Sequence, residues 1–242
     1  MKILIPTAKE LNKKALEVPE ELLGEKTKNI IDEFADKKPE ELAKIYKIKE
    51  DKAQEEYVCW QNLANYSAKS YRALELFNGL MYRNISRDNF TKEDAEYIKK
   101  NVYITTALYG VINAYEAIHE HRLDFLQNVK IKDSSLKNLW REDYDRSVEN
   151  DEVIISLLSS EFEEVFSKTI REKFIKITFM EEKNGDLKTH STISKKARGK
   201  FLSEIIKRKI TNIREVETIK FDGFEYKFEL STENNLAFVA KR

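Results

Sequence analysis

The stretch FIKITFMEEKNGDLKTHSTISKKARGKFLSEIIKRKI, residues 174–210, decides the fold. Phe174–Glu182 and Leu187–Ile193 flank Asn184-Gly185, the pair that best tolerates the positive φ of a tight hairpin turn. The pattern then changes to helical spacing over Lys195–Ile210, with Phe201, Leu202, Ile205 and Ile206 on one face. Lys195 and Arg198 fall on that apolar face, whereas Lys196, Lys200 and Lys207 fall on the opposite, solvated one. A buried charge requires a partner, and the first turn of a helix offers free amides to an anion. Ser194–Gly199 therefore reads either as an anion site or as an ion pair with an internal acid such as Asp222 or Glu233.

Outward from this stretch, Lys2–Ile5 reads as a short strand cut by Pro6, and Val153–Leu158 as a buried-type strand. Tyr71–Phe77 reads as a strand ending at Asn78-Gly79. Glu225–Leu230 and Leu236–Ala240 read as a last hairpin around Ser231–Asn235. Helical spacing marks Ala8–Ala15, Thr27–Ala35, Pro39–Tyr46 and Asp51–Asn65, and another helix starts at Thr91. Asn101–Leu108 continues that helix yet holds a β-branched run, so its spacing supports helix and strand alike. Ser160-Glu161-Phe162-Glu163 has capping-box form, and a short helix follows Thr211. Strands at both ends and in the middle predict an α+β class: a single compact domain over residues 1–242, one mixed β-sheet surrounded by helices. The N-terminal helical part, about residues 8–65, is a candidate subdomain.

Lys+Arg and Asp+Glu both number 43, so anion binding requires local clustering rather than overall charge. The lone Cys59 excludes a disulfide framework or a Cys-based metal cluster. The short apolar start and the lack of any 18-residue apolar run predict a cytoplasmic protein with no membrane partner.

Two other segments carry candidate chemistry. In Phe77-Asn78-Gly79-Leu80-Met81-Tyr82-Arg83, the Gly admits close approach and Arg83 offers a planar fork to phosphate or carboxylate. Alternatively the segment is an ordinary turn with a surface Arg. Thr106-Ala107-Leu108-Tyr109-Gly110, with Arg122 downstream, is a candidate DNA-phosphate hairpin of a helix–hairpin–helix element. The β-branched run before it favours instead a strand ending in a turn at Gly110. His119 and His121, two apart, do not share a helix face, and no metal or cofactor is expected.

Taken together, Met1–Ile5 with Ala8-Lys9, Phe77-Asn78-Gly79 with Tyr82-Arg83, and Leu108-Tyr109-Gly110-Val111 with Arg122-Leu123 resemble the YaaA-like peroxide-stress protein family of bacteria. Lys195–Gly199, Phe221-Asp222-Gly223-Phe224 and Leu230–Asn234 continue that resemblance in family order. Pro6-Thr7 replaces the family's Ser-Pro, Ala107 its first hairpin Gly, and Asn113-Ala114 its Arg-Pro. The resemblance implies a compact α+β protein of unusual fold with a positively charged, DNA-binding cleft. It also implies protection from hydrogen peroxide by limiting free iron and oxidative DNA damage.

The leading expectation is a monomeric stress protein that binds DNA in a cleft. The expected cleft residues are Lys9, Asn78, Gly79, Tyr82, Arg83, Tyr109, Gly110, Arg122, Lys195, Arg198 and Gly199. The alternative is an enzyme of undefined reaction on a nucleotide or other small phosphate-containing ligand, with Lys195 as base or nucleophile and Tyr82 or Tyr109 as proton donor. An open groove of duplex width supports the first, and a deep closed pocket the second.

Overall fold

A computed structural model describes residues 1–242. Five parallel strands form its centre, in the order Asn235–Lys241, Phe174–Lys183, Ile154–Ser156, Lys2–Pro6 and Val102–Thr106. Antiparallel strands extend both sides: Phe224–Tyr226 and Lys220–Phe221 beyond the first, Gly110–Asn113 beyond the last. The mixed sheet and α+β class expected from the sequence are thus present.

Side-chain alternation along these strands builds two cores. Ile3, Ile5 and Ile155 join Phe179, Phe201 and Ile205 on one face. Leu4 and Ile154 join Phe34, Trp60, Trp140 and Tyr144 on the other. Helix Ser191–Arg208 covers the first face, and helices Glu25–Ala35, Glu50–Ala64 and Leu136–Val148 cover the second. A separate three-stranded sheet pairs Ser70–Arg72 with Glu17–Val18 and Ala117–His119.

Several local expectations are corrected. Ala8–Ala15 is not a helix. Asn12 accepts the Lys14 amide in a tight turn while its own N–H goes to the Leu76 carbonyl, and Leu11 bridges to Phe77. Tyr71–Phe77 is a strand only to Arg72. Ala73–Leu76 then makes one helical turn, its amides at Ala73 and Leu74 bonded to the Glu116 and Ala114 carbonyls. Asn101–Leu108 divides at Val102, where helix Lys92–Asn101 ends and a strand begins.

Residues 106–110 form the turn of a β-hairpin, with Thr106 paired to Gly110. The helix–hairpin–helix expectation is therefore not met. The β-branched residues take the sheet, and Gly110 (φ +81°) turns where the Trp140 ring leaves no room for a side chain. The first strand of the last hairpin is shorter than expected, Phe224–Tyr226, and is followed by a 3-10 turn at Phe228–Leu230. At Ser160–Glu163 no side-chain cap bond forms, because Glu163 turns inward to accept from Ser156 Oγ (2.7 Å) and Lys176 Nζ (2.6 Å).

The decisive stretch also changes in detail. Its second strand is only Asp186–Lys188, and the helix begins at Ser191. The Ser194 amide already donates to the His190 carbonyl, so the amides of Lys195–Gly199 lie inside the helix and are not free for an anion.

Gly199 faces neither solvent nor a ligand. A Cβ there would lie 2.2 Å from the Met81 carbonyl oxygen and 2.9 Å from Asn84. Gly199→Ala should lower unfolding stability by about 1–3 kcal/mol or more in urea titrations. Gly24→Ala, whose Cβ would meet nothing within 4 Å, should cost less, about 0.5–1 kcal/mol, through its helix N-cap position alone.

Candidate functional site

A cavity of about 480 Å³ opens where the chain leaves the parallel strands Lys2–Pro6 and Ile154–Ser156. Carboxyl ends of parallel strands are a favoured place for ligands because loops diverge there. Pro6–Glu10 forms one wall and Gly79–Arg83 another, followed by His121–Asp124, Ser159–Phe162 and the first turns of helix Ser191–Arg208.

The first two walls are held together through their backbones. The Asn78 amide donates to the Glu10 carbonyl at 2.8 Å, and a Cβ on Gly79 would sit 2.7 Å from the Ala8 Cβ. Tyr82, fully buried, donates its hydroxyl to the Pro6 carbonyl at 2.8 Å. Burial raises its pKa strongly, so it stays a donor.

Seven of the eleven residues expected in the cleft line this cavity: Lys9, Gly79, Tyr82, Arg83, Arg122, Lys195 and Arg198. The other four do not. The Asn78 side chain accepts from Arg87 (3.2 Å). Gly110 holds the hairpin turn, and Gly199 spaces two backbones. Tyr109 is a layer deeper. Its hydroxyl accepts the His119 amide (3.1 Å) and lies 3.0 Å from His119 Nδ1, while its ring packs edge-on to His121.

Five cations and three carboxylates share the lining, and the cations are not equivalent. Lys9 pairs at 2.7 Å with Asp124, a buried acid. Arg83 pairs with Glu10 and donates to the Asn78 carbonyl at 2.7 Å. Arg122 is 4.0 Å from Glu56. Lys195 and Arg198 form no salt bridge, since Asp222, one proposed partner, binds Lys200 instead.

Lys195 is exposed on the rim rather than turned into the core, contrary to the helical-face reading. Arg198 is the inward one. It is half-buried, and its Nε is fully enclosed without a partner. Burial lowers its pKa, opposed by the charge of Glu163. The two candidate proton donors of the enzyme reading, Tyr82 and Tyr109, have their hydroxyls engaged by the protein itself.

Sequence reasoning missed Asp124, Glu161 and His121. Glu161 accepts the Phe125 amide at 3.0 Å, and burial, then Asp124, raises its pKa. His121 was weighed only as a metal ligand. No spacing signal marks its place, because the strand Ala117–His119 ends before it and its packing is set by Phe77 and Tyr109. No group of three or more His, Cys, Asp or Glu side chains is placed to hold a metal ion. Cys59 donates to the Glu120 carbonyl at 3.0 Å, and burial pushes its thiol up to about 12.

The fold and site define an α+β protein with a cavity of about 480 Å³ at strand ends, presenting one half-buried and one exposed cation that the protein leaves unpaired. The chain belongs to the peroxide stress protein YaaA family, whose profile matches residues 1–230. It is 51% identical over 241 residues to a UPF0246 protein of Streptococcus gordonii strain Challis, spanning 100% of this chain and 99% of that one. A UPF0246 protein of Streptococcus sanguinis strain SK36 is 48% identical over 240 residues, spanning 99% of each chain. No helix is long and apolar enough to cross a membrane.

The Arg122 support carries a pH signature. Burial, opposed by Arg122, raises the Glu56 carboxyl from 4.5 to about 7. The folded protein thus holds a proton that the unfolded chain has released. The contribution is fully present below about pH 4.5 and is lost as pH rises through about 7. Urea unfolding should find Glu56→Gln close to wild type at pH 4.5, and more stable by about 1–3 kcal/mol at pH 8. A constant difference at both pH values would refute the assignment.

Proposed function

We propose that the cavity binds a phosphate-bearing ligand of nucleotide size, either free or as one nucleotide of a DNA strand. Protection from peroxide, including the limiting of iron-driven DNA damage implied by the family resemblance, is on this reading a consequence of that binding in a cytoplasmic monomer. The observation that carries the reading is Arg198, a half-buried guanidinium of the cavity wall with no carboxylate partner, next to unpaired Lys195. An enclosed guanidinium costs desolvation energy, which an anion offsets through charge-assisted hydrogen bonds.

Size supports the same choice. About 480 Å³ falls in the range of small-ligand pockets and is far too small for a duplex about 20 Å across. Three of the five lining cations are matched by acids, so a long phosphate track is not offered. DNA therefore enters this reading as a strand end or an extruded nucleotide.

The test is calorimetric titration with a nucleoside monophosphate, a 5′-phosphorylated single strand and a blunt duplex lacking terminal phosphates. Wild type should bind the first two, and Arg198→Met should weaken both by about tenfold or more, about 1.4 kcal/mol. Because the variant removes a desolvated charge, its melting temperature should equal or exceed that of wild type. Unchanged binding by Arg198→Met, or tightest binding to the blunt duplex, would overturn the reading.

A further inference from the structure

The chain holds two Asn-Gly pairs, Asn78-Gly79 and Asn184-Gly185, and the fold treats them in opposite ways. Asn-Gly is the dipeptide most prone to deamidation, because glycine has no side chain to obstruct its own amide nitrogen as it attacks the preceding Asn side chain. The two pairs share this intrinsic chemistry. What differs is the freedom of each to reach the attacking geometry.

Asn78-Gly79 is braced on every side. The Asn78 amide donates to the Glu10 carbonyl at 2.8 Å, its carbonyl accepts from Arg83 at 2.7 Å, and its Oδ1 accepts from Arg87 at 3.2 Å. The Gly79 carbonyl accepts the Arg83 amide at 3.0 Å, and a Cβ on Gly79 would sit 2.7 Å from the Ala8 Cβ. Turning the Asn78 side chain onto the Gly79 nitrogen therefore requires two cavity walls to come apart.

Asn184-Gly185 is open. Its backbone is left-handed at both residues (φ +55° and +85°), the form of a tight hairpin turn. Every residue from Lys183 to Thr192 is exposed, and a Cβ on Gly185 would meet nothing within 4 Å. The Gly185 amide donates to no carbonyl. Strand Asp186–Lys188 pairs with Glu181–Lys183 alone, and its one apolar side chain, Leu187, is 44% exposed. The closed turn holds Asn184 in one conformation, so ring closure passes through opening of the tip. That opening disturbs three exposed residue pairs and no core, which places it at the low end of local unfolding costs. A third turn of the same hand, Asp222-Gly223, is tied down by the Asp222 pair with Lys200 and by Arg242, which donates to the Asp222 carbonyl at 3.0 Å.

We propose that Asn184 is a site of spontaneous deamidation and isoaspartate formation in the native protein. The Gly185 nitrogen attacks Cγ of Asn184, and the new C–N bond closes an imide ring. The Asn184 side-chain amide leaves as ammonia, taking the proton that the Gly185 nitrogen gives up. Water then opens the imide at either carbonyl, leaving aspartate or isoaspartate at position 184. Either product adds a negative charge between Lys183 and Lys188. Isoaspartate also adds a carbon to the main chain, so the two-residue turn and its register cannot re-form. The inference is independent of the phosphate reading.

The test follows deamidation of the whole protein at about pH 8, native and unfolded in urea, by mass spectrometry of two tryptic peptides. Asn184–Lys188 reports one site and Ala73–Arg83 the other. The ratio of native to unfolded rate should be more than about tenfold higher for Asn184 than for Asn78, because local opening serves the first and unlocking of the frame the second. A smaller difference would overturn the proposal. Isoaspartyl methyltransferase with S-adenosylmethionine should label the aged native protein within Asn184–Lys188, and Asn184→Gln should abolish that label. Deamidation without any label would rule out the imide route. A label that survives Asn184→Gln would place the reactive turn elsewhere and overturn the assignment.

Discussion

Glycine backbone packed against its neighbours with no room for a side chain is the constraint on which the cavity depends. Ala8 meets Gly79, and Gly199 meets the carbonyl of Met81, with less space at either contact than one methyl needs. These two contacts lock the loop after the first strand, the Gly79–Arg83 turn and the long helix into one frame. Lys9, Arg83 and Arg198 can then face a common space although they are far apart in the chain. Such contacts permit little adjustment, so the frame sets cation positions more firmly than the flexible side chains could set themselves.

The electrostatics of that space are those of selection rather than of general attraction. A lining with five cations would draw any polyanion if all were free. Here Asp124 and Glu10 neutralise two of them, and Glu56, which burial keeps partly protonated near pH 7, offsets Arg122 in part. The remaining positive charge is concentrated at Lys195 and Arg198, where the rim meets the wall. Matched pairs hold loop geometry, while the guanidinium of Arg198 and the ammonium of Lys195 have no carboxylate partner.

Much of this was legible in the sequence, for identifiable reasons. Helices with strong local signals were readable almost to the residue, as at Pro39–Tyr46 and at Thr91, which caps its helix as expected. The strand at Lys2–Pro6 followed from its apolar run. The errors came where tertiary hydrogen bonds replaced local ones. Ala8–Ala15 has helical spacing, but the Leu76 carbonyl captures Asn12. Lys195 shares the apolar face by spacing alone, yet Ser191 starts the helix early and leaves Lys195 near its open end, exposed. His121 was readable only once the small sheet through Ala117–His119 placed it against Phe77, a non-local fact no spacing rule contains.

The order of strands in the main sheet has a consequence for synthesis. Lys2–Pro6 lies between Val102–Thr106 and Ile154–Ser156, both of which leave the ribosome much later. At about 5–20 residues per second, this apolar strand waits several seconds with both edges open before a partner arrives. Sheet closure then needs Asn235–Lys241 to dock beside Phe174–Lys183. Parallel pairing over such separations is slow, so exposure to aggregation during synthesis is a property of this topology rather than of any surface on the finished molecule.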